Sequence, residues 1–363
     1  MMHRKLPPVW ICTLIFVVAL LWRMIGAPVT AEHFSGMETH LWQAGRLLPQ
    51  RTARILLHWH AFARQIDETM DQEVELHEET EIREVWLNVY IDDEERLAQM
   101  SLKGYVCGVL AEEMPAAYHL EALKAQAVAA RTRAIYQINE GGCALHPGAD
   151  ICTDSSHCQG YASLKECRTK WGPDYEMYRD RILEAERQTK DERLCYDGQP
   201  IQVFYHAVSG GRTENAAAVF AQELPYLISV ESAGEESVRG FRTDTSIPFD
   251  EIAQKLSSLM GKDLSPEAVQ KTLAINSYSE TGRVESLKID GETIAAAAFR
   301  SALNLRSTLF SMTMNEEGVT FHQQGYGHGV GMSQAGANVM AADGYAYNEI
   351  LMHYYPGVTI QKE

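Results

Sequence analysis

Two neighbouring stretches decide the fold, VLAEEMP at residues 109–115 and EALKAQAVAART at residues 121–132. The first is an apolar run that ends in two carboxylates and then Met-Pro. Because proline disfavours the helical conformation of the residue before it, a helix is predicted to end there. A second helix follows. One of the carboxylates, Glu112 or Glu113, is expected beside apolar neighbours at the helix end; the alternative is that both are solvated.

Length and charge limit the class of protein. With 363 residues, 45% of them hydrophobic, the chain can bury a sizeable core. Its formal net charge of −17 excludes nucleic acid as a partner, because binding to phosphates requires a basic face and no basic cluster occurs outside a few arginines near the N-terminus. An acidic surface suits a neutral or cationic partner.

The N-terminus predicts a membrane anchor. A basic tail at residues 1–8 precedes an apolar run at residues 9–27, long enough to cross a hydrocarbon core of about 30 Å. The basic flank keeps the tail in the cytoplasm. A cleaved signal peptide, with small residues at 29–31 as its cleavage site, is the alternative. Trp10 and Trp22 stand at opposite ends of the run like interfacial anchors, which favours an uncleaved helix.

Beyond the anchor, residues 28–84 are predicted to be a juxtamembrane helical stalk followed by an acidic linker. Leucine, isoleucine and aromatic spacing between residues 41 and 66 indicates helix, and the mostly acidic run at 67–84 is typical of a solvated segment. A β-rich run starts at Val85. Residues 85–363 are therefore predicted to form one extracytoplasmic domain.

Within this domain helices come early and strands come late. Asp-Gly at 197–198 separates predicted strands at 194–196 and 201–205, and such a turn is typical of a hairpin. Asp-Gly at 290–291 likewise separates runs at 284–289 and 293–294, and Glu-Gly at 317–318 separates runs at 309–314 and 319–322. This order predicts an α+β fold, in which early helices and late antiparallel strands form a groove, rather than a doubly wound parallel sheet.

A cluster of histidines and cysteines indicates a metal site. His146, Cys152, His157 and Cys158 offer two imidazoles and two thiolates within about a dozen residues, which is the tetrahedral donor set that zinc prefers. Four protein ligands leave no open position, so the zinc would be structural. The alternative is a disulfide from Cys152 to one of the cysteines at 143, 158 or 167.

A glycine-rich loop, GYGHGVGMSQAG at residues 325–336, lies between a predicted strand and a predicted helix. It lacks the Gly-Lys-Ser/Thr of a phosphate-binding loop, and its glycine spacing does not match a dinucleotide fingerprint. His328 is exposed by the absence of neighbouring side chains, which favours the wall of a binding site over a connection without function.

Four separated motifs together resemble the stage II sporulation protein D family. They are YVCGVLAEEMP at 105–115, EALKAQAVAART at 121–132, FYHAVSGG at 204–211 and the loop around His328. The resemblance covers about residues 85–360. It implies a membrane-anchored lytic transglycosylase that cuts peptidoglycan glycan strands to 1,6-anhydro ends during engulfment of the forespore. The catalytic glutamate of the family's Glu-Met-Pro motif corresponds to Glu113.

This resemblance, with the chemistry of the residues, supplies candidate site residues. Glu113 would act first as acid and then as base, without a second carboxylate or a catalytic cofactor. Gln126 and Arg131 are weaker candidates, since a packed helix with a solvated polar face is the alternative for this segment. Arg131 is expected to orient a carboxylate rather than to touch sugar. The other side chains expected to bind sugar hydroxyls or stabilise positive charge are Tyr205, His206, Ser209, His328, Ser333 and Gln334.

The resemblance also implies location and partners. The domain would face the septal space from the mother-cell membrane, and its partners would be a peptidoglycan amidase and a multispanning membrane anchor protein. Some clostridial relatives hold a structural zinc in a His and Cys cluster spaced like the one here. Other relatives are non-catalytic peptidoglycan-binding proteins that enhance an amidase, and this is the alternative function.

Overall fold

The computed structural model describes residues 84–362. The predicted tail at 1–8, the anchor at 9–27 and all but the last residue of the 28–84 segment lie outside these residues. Within residues 84–362, no helix is both long enough and apolar enough to cross a membrane.

Helices and strands are mixed along the described chain, as an α+β fold requires. The helices are α1 (Leu102–Glu113), α2 (Leu120–Asn139), α3 (Leu164–Trp171), α4 (Tyr175–Gln188), α5 (Ala216–Phe220), α6 (Phe249–Met260), α7 (Pro266–Thr272), α8 (Ala296–Leu303), α9 (Gln334–Ala342) and α10 (Tyr347–Tyr354). The strands are β1 (Trp86–Ile91), β2 (Arg96–Ser101), β3 (Ile151–Cys152), β4 (Glu192–Tyr196), β5 (Gln199–Pro200), β6 (Tyr205–His206), β7 (Arg242–Pro248), β8 (Ala274–Tyr278), β9 (Val284–Ile289), β10 (Glu292–Ala295), β11 (Phe310–Met314), β12 (Gly318–Gln324), β13 (Met332–Ser333) and β14 (Thr359–Lys362).

Local sequence explains both ends of α1. The Ser101 hydroxyl accepts a hydrogen bond from the backbone N–H of Gly104 and so caps the first turn. At the other end, Met114 is extended because Pro115 follows it, and the helix stops at Glu113 as predicted. The carboxylates at 112 and 113 are thereby held at the negative end of the helix dipole.

α2 is the central helix of the domain. Every residue from Ala122 to Thr132 is buried, including Lys124, Gln126 and Arg131. Helices α1, α4, α9 and α10 and strand β4 all pack against it. A helix buried on all sides belongs to a core, so the alternative of a solvated polar face is wrong.

Three small sheets surround these helices. β1 pairs with β2 antiparallel and with β3 parallel, β4 pairs with β14 and β5, and β6 pairs parallel with β13. The hairpin at 197–198 exists, but its second strand is only two residues long. The expected strand at 201–205 gives way to β6, whose short parallel pairing brings FYHAVSGG beside the start of α9.

The remaining elements form an inserted lobe, Arg242–Gln324, with a hydrophobic core of its own. In it β10, β9 and β8 make one antiparallel sheet, and β11, β12 and β7 make another. The predicted hairpins at 290–291 and 317–318 are confirmed. The first and last residues of the lobe, Arg242 and Gln324, are register partners, so the chain enters and leaves at one place.

Candidate functional site

Glu113 is half-buried at the end of α1. Its Oε1 accepts a hydrogen bond from the backbone N–H of Gly160 at 2.8 Å. Burial raises the pKa of Glu113 above its ordinary value, although the Gly160 hydrogen bond and the positive charge of Arg133 act in the opposite direction. Glu112 is exposed and forms an ion pair with Lys170 at 3.0 Å. The two carboxylates therefore have different environments.

The loop at 159–160 connects Glu113 to its surroundings. A Cβ atom at Gly160 would lie 3.0 Å from Glu113 Oε1, so glycine lets the backbone approach the carboxylate closely. Beside it, Gln159 accepts a hydrogen bond from the Tyr205 hydroxyl at 2.8 Å and donates to the carbonyl of Ala130 in α2 at 3.4 Å. Two adjacent residues thus contact α1, α2 and β6.

Two glutamines, Gln334 and Gln126, lie on one side of Glu113. Gln334 Nε2 lies 3.5 Å from Gln126 Oε1, and the Gln334 side chain lowers the pKa of Glu113 by hydrogen bonding. Gln126 Nε2 is buried without a hydrogen-bond partner among residues 84–362. The fold therefore brings these two predicted residues to Glu113 from α2 and α9.

Two histidines, His206 and His328, pack together with two phenylalanines. The ring centres of His206 and His328 are 5.8 Å apart, and Phe204 and Phe220 contact His328 edge-on. His328 Nδ1 accepts a hydrogen bond from the Val330 N–H at 3.0 Å, which leaves its proton on Nε2. Burial lowers the pKa of both rings, and the neighbouring arginine charges add to this effect.

His328 is expected to make stability depend on pH. Burial, and then the charge of Arg133, lower its pKa from 6.5 to about 3. The unfolded chain binds this proton below pH 6.5 and the folded chain does not, so the stabilisation is present above pH 6.5 and is lost as pH falls towards 3. We expect this group to cost about 2 kcal/mol of unfolding free energy between pH 7 and pH 5. Denaturant titrations of His328→Asn at both pH values should show that much less pH dependence; an unchanged difference would contradict the assignment.

Three other predicted binding residues are buried and hydrogen-bonded to protein groups. Ser209 is fully buried, and both its N–H and its hydroxyl donate to Glu235, at 2.8 and 3.0 Å. The Ser333 hydroxyl is also buried and caps α9 by accepting from the N–H of Gly336. Tyr205 is buried and its hydroxyl binds Gln159, so it positions the loop rather than meeting a sugar. These three residues therefore hold neighbouring segments in place rather than contact a substrate.

Arg131 is part of the core as well. Its guanidinium forms a buried ion pair with Glu186 at 3.1 Å and donates to the carbonyls of Thr189 and Glu192. Arg131 thus orients a carboxylate, that of Glu186, and anchors α4 and β4 to α2 in the core instead of binding sugar. Arg131→Met leaves the Glu186 charge buried and unpaired, so we expect a loss of about 3–5 kcal/mol in unfolding free energy.

The matched control for this prediction is Arg187→Met on the exposed side of α4. Arg187 forms a solvent-exposed ion pair with Glu184 at 2.7 Å, and such pairs contribute little. Denaturant unfolding compares the two variants. If Arg131→Met loses activity at unchanged stability, Arg131 acts at the site and the structural role is contradicted.

The histidine and cysteine cluster assembles with one change of member. His157 Nδ1 lies 3.5 Å from Cys143 Sγ, 3.6 Å from Cys152 Sγ and 3.3 Å from Cys158 Sγ. In a tetrahedral zinc site with Zn–S and Zn–N bonds of about 2.3 and 2.0 Å, N and S ligands stand about 3.6 Å apart. The four groups therefore fit zinc. No disulfide occurs within residues 84–362.

His146, which was predicted as a ligand, lies beside this group of four rather than in it. Its ring stacks on Tyr90 at 3.7 Å, and its Nε2 is 3.4 Å from Asp92 Oδ1. Asp92, His146 and Cys152 make a second group of three possible ligands. Cys143 takes the place of His146 in the four-ligand set, because the turn at residues 143–149 directs its thiol inwards.

Comparison with known proteins identifies the family. A family model described as stage II sporulation protein matches residues 90–196, and one described as a domain of unknown function matches residues 203–331. Stage II sporulation protein D of Bacillus subtilis strain 168 is 34% identical over 77% of this chain and 79% of the relative. The chain belongs to the stage II sporulation protein D family. The Bacillus amyloliquefaciens protein of that name is 33% identical over 84% of this chain and 85% of its own.

A more distant relative carries a different name. The amidase enhancer of Bacillus subtilis strain 168 is 28% identical over 70% of this chain and 40% of the relative. In this stage II sporulation protein D family member, the first family model contains Glu113, α2 and the cysteine cluster, whereas the second contains His206, His328 and the inserted lobe. The candidate site combines residues from both matched segments.

Several functional candidates were missed from the sequence. Gly160 and Gln159 carry no sequence signal, because only the fold brings them to Glu113. Cys143 was considered only as a disulfide partner, although its spacing from Cys152 also allows a shared metal. Arg133 had a usable signal: it follows Gln126 by seven residues, which places both on one face of α2.

Proposed function

We propose that this protein is a peptidoglycan lytic transglycosylase in which Glu113 is both acid and base. One observation carries the proposal: a single half-buried carboxyl with a raised pKa accepts a hydrogen bond from the Gly160 N–H and lies beside Gln334, which in turn contacts Gln126. A carboxyl with a raised pKa holds its proton to higher pH than an ordinary glutamate and can donate it to a leaving oxygen. Glutamine amides are suitable donors to sugar oxygens.

The chemistry needs no second carboxylate. Protonated Glu113 donates to the oxygen between muramic acid C1 and the next N-acetylglucosamine, and the C1–O bond breaks with its electron pair on that oxygen. The oxocarbenium-like ring is then attacked at C1 by its own C6 hydroxyl oxygen, and ionised Glu113 takes the hydroxyl proton. The products are a 1,6-anhydro end and a free N-acetylglucosamine hydroxyl, and Glu113 is protonated again.

A structural zinc accompanies this proposal. Cys143, Cys152, His157 and Cys158 would hold the ion and leave no coordination position for substrate. The zinc would fix the loop that delivers Gln159 and Gly160, because these residues follow Cys158 directly. No catalytic cofactor is proposed.

Location and partners follow from the family. We propose that residues 9–27 anchor the chain in the mother-cell membrane and that the described domain faces the septal space during engulfment. A peptidoglycan amidase and a multispanning anchor protein would be its partners.

A second function is kept because of the amidase enhancer relative. In that case the domain binds glycan strands and stimulates an amidase without cutting. Purified protein is incubated with peptide-free and with peptide-bearing peptidoglycan, each with and without an amidase. Release of 1,6-anhydro ends supports the transglycosylase, whereas faster amide cleavage without anhydro ends supports the enhancer.

A further inference from the structure

Arg133 is a cation that has no anionic partner among residues 84–362. Seven residues separate it from Gln126, so the two lie within about 20° around the α2 axis and about 10 Å apart along it. Its Nη1 donates to the Val203 carbonyl at 3.3 Å, and its guanidinium carbon lies 5.5 Å from the Phe204 ring centre. No carboxylate of residues 84–362 is within ion-pair distance of this half-buried guanidinium.

The charge of Arg133 reaches the reacting groups. It lowers the pKa of Glu113 and is the only cation among the main influences on that carboxyl, and it also lowers the pKa of His328. Both the protonated acid and the positive charge that develops at C1 are disfavoured by a nearby unpaired cation. An anionic ligand on Arg133 would remove this conflict.

We infer that Arg133 binds the lactyl carboxylate of the same muramic acid whose C1–O bond is cleaved. The inference rests on the proposed function, which places that ring at Glu113. Muramic acid carries its lactyl ether on O3, and C1 and C3 flank the same ring carbon, so one ring can contact both groups. A planar guanidinium pairs with a carboxylate through two parallel hydrogen bonds.

The inference assigns one residue to the discrimination between strands. A lactyl group without a peptide ends in a carboxylate, whereas a lactyl group with a peptide ends in a neutral amide that offers Arg133 no charge. Binding of the carboxylate neutralises Arg133 while the ring is in place, which favours protonation of Glu113 at the moment of cleavage. Arg133 is thus a specificity residue that contacts substrate.

The test uses full-length protein and two glycan strands that differ in one group. One strand carries free lactyl carboxylates, and the other has them converted to methylamides. We expect kcat/KM to be about tenfold to a hundredfold higher on the carboxylate strand. Arg133→Met should bring this ratio close to one, and Arg133→Lys should retain part of it. Arg179→Met, which removes an exposed cation of α4, is the control and should keep the full ratio.

The ratio cancels any effect of Arg133 on Glu113 itself, because that effect is common to both strands. An Arg133→Met variant that discriminates as strongly as wild type would overturn the inference. So would a variant whose main loss is on peptide-bearing strands, since the guanidinium would then pair with a peptide carboxylate.

A binding measurement separates the inference from the proposed function. Titration of N-acetylmuramic acid and its methylamide into the Glu113→Gln protein requires no turnover. Cleavage without any preference for the carboxylate supports the proposed function and overturns the inference. A preference in binding that Arg133→Met removes, without cleavage by wild type, supports the inference and contradicts the transglycosylase. Absence of both contradicts both.

Discussion

Glu113→Gln is expected to lower the release of 1,6-anhydro ends by about a thousandfold or more, because one group supplies both proton transfers. The folded structure should persist, since the glutamine oxygen can still accept the Gly160 hydrogen bond. The measurement is the initial rate of anhydro-end formation from peptide-free strands. Glu112→Gln is the matched control: that side chain is exposed and paired with Lys170, so its rate should stay near that of wild type.

The raised pKa of Glu113 predicts how the wild-type activity and the stability of Glu113→Gln depend on pH. Burial raises the pKa of Glu113 above its ordinary 4.5, so the active acid form is lost, and kcat/KM falls, as pH rises through the raised value. A carboxyl with a raised pKa also destabilises the fold once ionised. Glu113→Gln should therefore be at least as stable as wild type at pH 7, and this advantage should vanish at pH 4. A Glu113→Gln protein that still releases anhydro ends at the wild-type rate would refute the assignment.

Removal of zinc is expected to have the largest effect on stability. If the four ligands hold a structural ion, a strong chelator should lower the free energy of unfolding by more than about 5 kcal/mol. Metal analysis should find one zinc per chain before chelation, and denaturant unfolding with and without chelator measures the change. Activity should fall together with stability, because the chain runs directly from Cys158 to the loop that holds Glu113.

Two single substitutions test whether Cys143 or His146 is the fourth zinc ligand. Cys143→Ser should lose the zinc, whereas His146→Asn should retain it, since His146 stacks on Tyr90 outside the group of four. Cys167→Ser is the control, because that thiol lies in a separate apolar cluster. Loss of zinc in His146→Asn but not in Cys143→Ser would restore the set expected from sequence, and a metal-free wild type would end the zinc proposal.

Local rules were enough for the parts of the fold that depend on neighbours in sequence. The stop at Met114 follows from Pro115, and the hairpins at 290–291 and 317–318 follow from their turn residues. The strand expected at 201–205 failed for a tertiary reason. Parallel pairing with β13, more than a hundred residues away, limits the strand to Tyr205 and His206, and no local pattern encodes that partner.

In the candidate site, too, the sequence predicted some features and missed those that depend on tertiary contacts. Glu113 was separable from Glu112 only by resemblance, and the structure adds a physical difference, since one is half-buried and the other exposed. Arg131 and Ser209 were expected at the site because they belong to motifs, but their partners Glu186 and Glu235 come from distant segments. A motif marks residues that a fold depends on without separating substrate contacts from internal ion pairs.

The register partnership of Arg242 with Gln324 has a consequence for the history and engineering of the domain. A lobe that departs and returns across one strand pair can be gained or lost as a cassette, and a tight turn could bridge the remaining ends. Several hydrogen bonds resist this excision. Arg283, inside the lobe, donates to the carbonyl of Ser209, and the hydroxyls of Ser279 and Thr281 donate to Glu214. A chain without the lobe would need a new donor for the Ser209 carbonyl, so the rest of the domain now depends on the lobe for its hydrogen bonding.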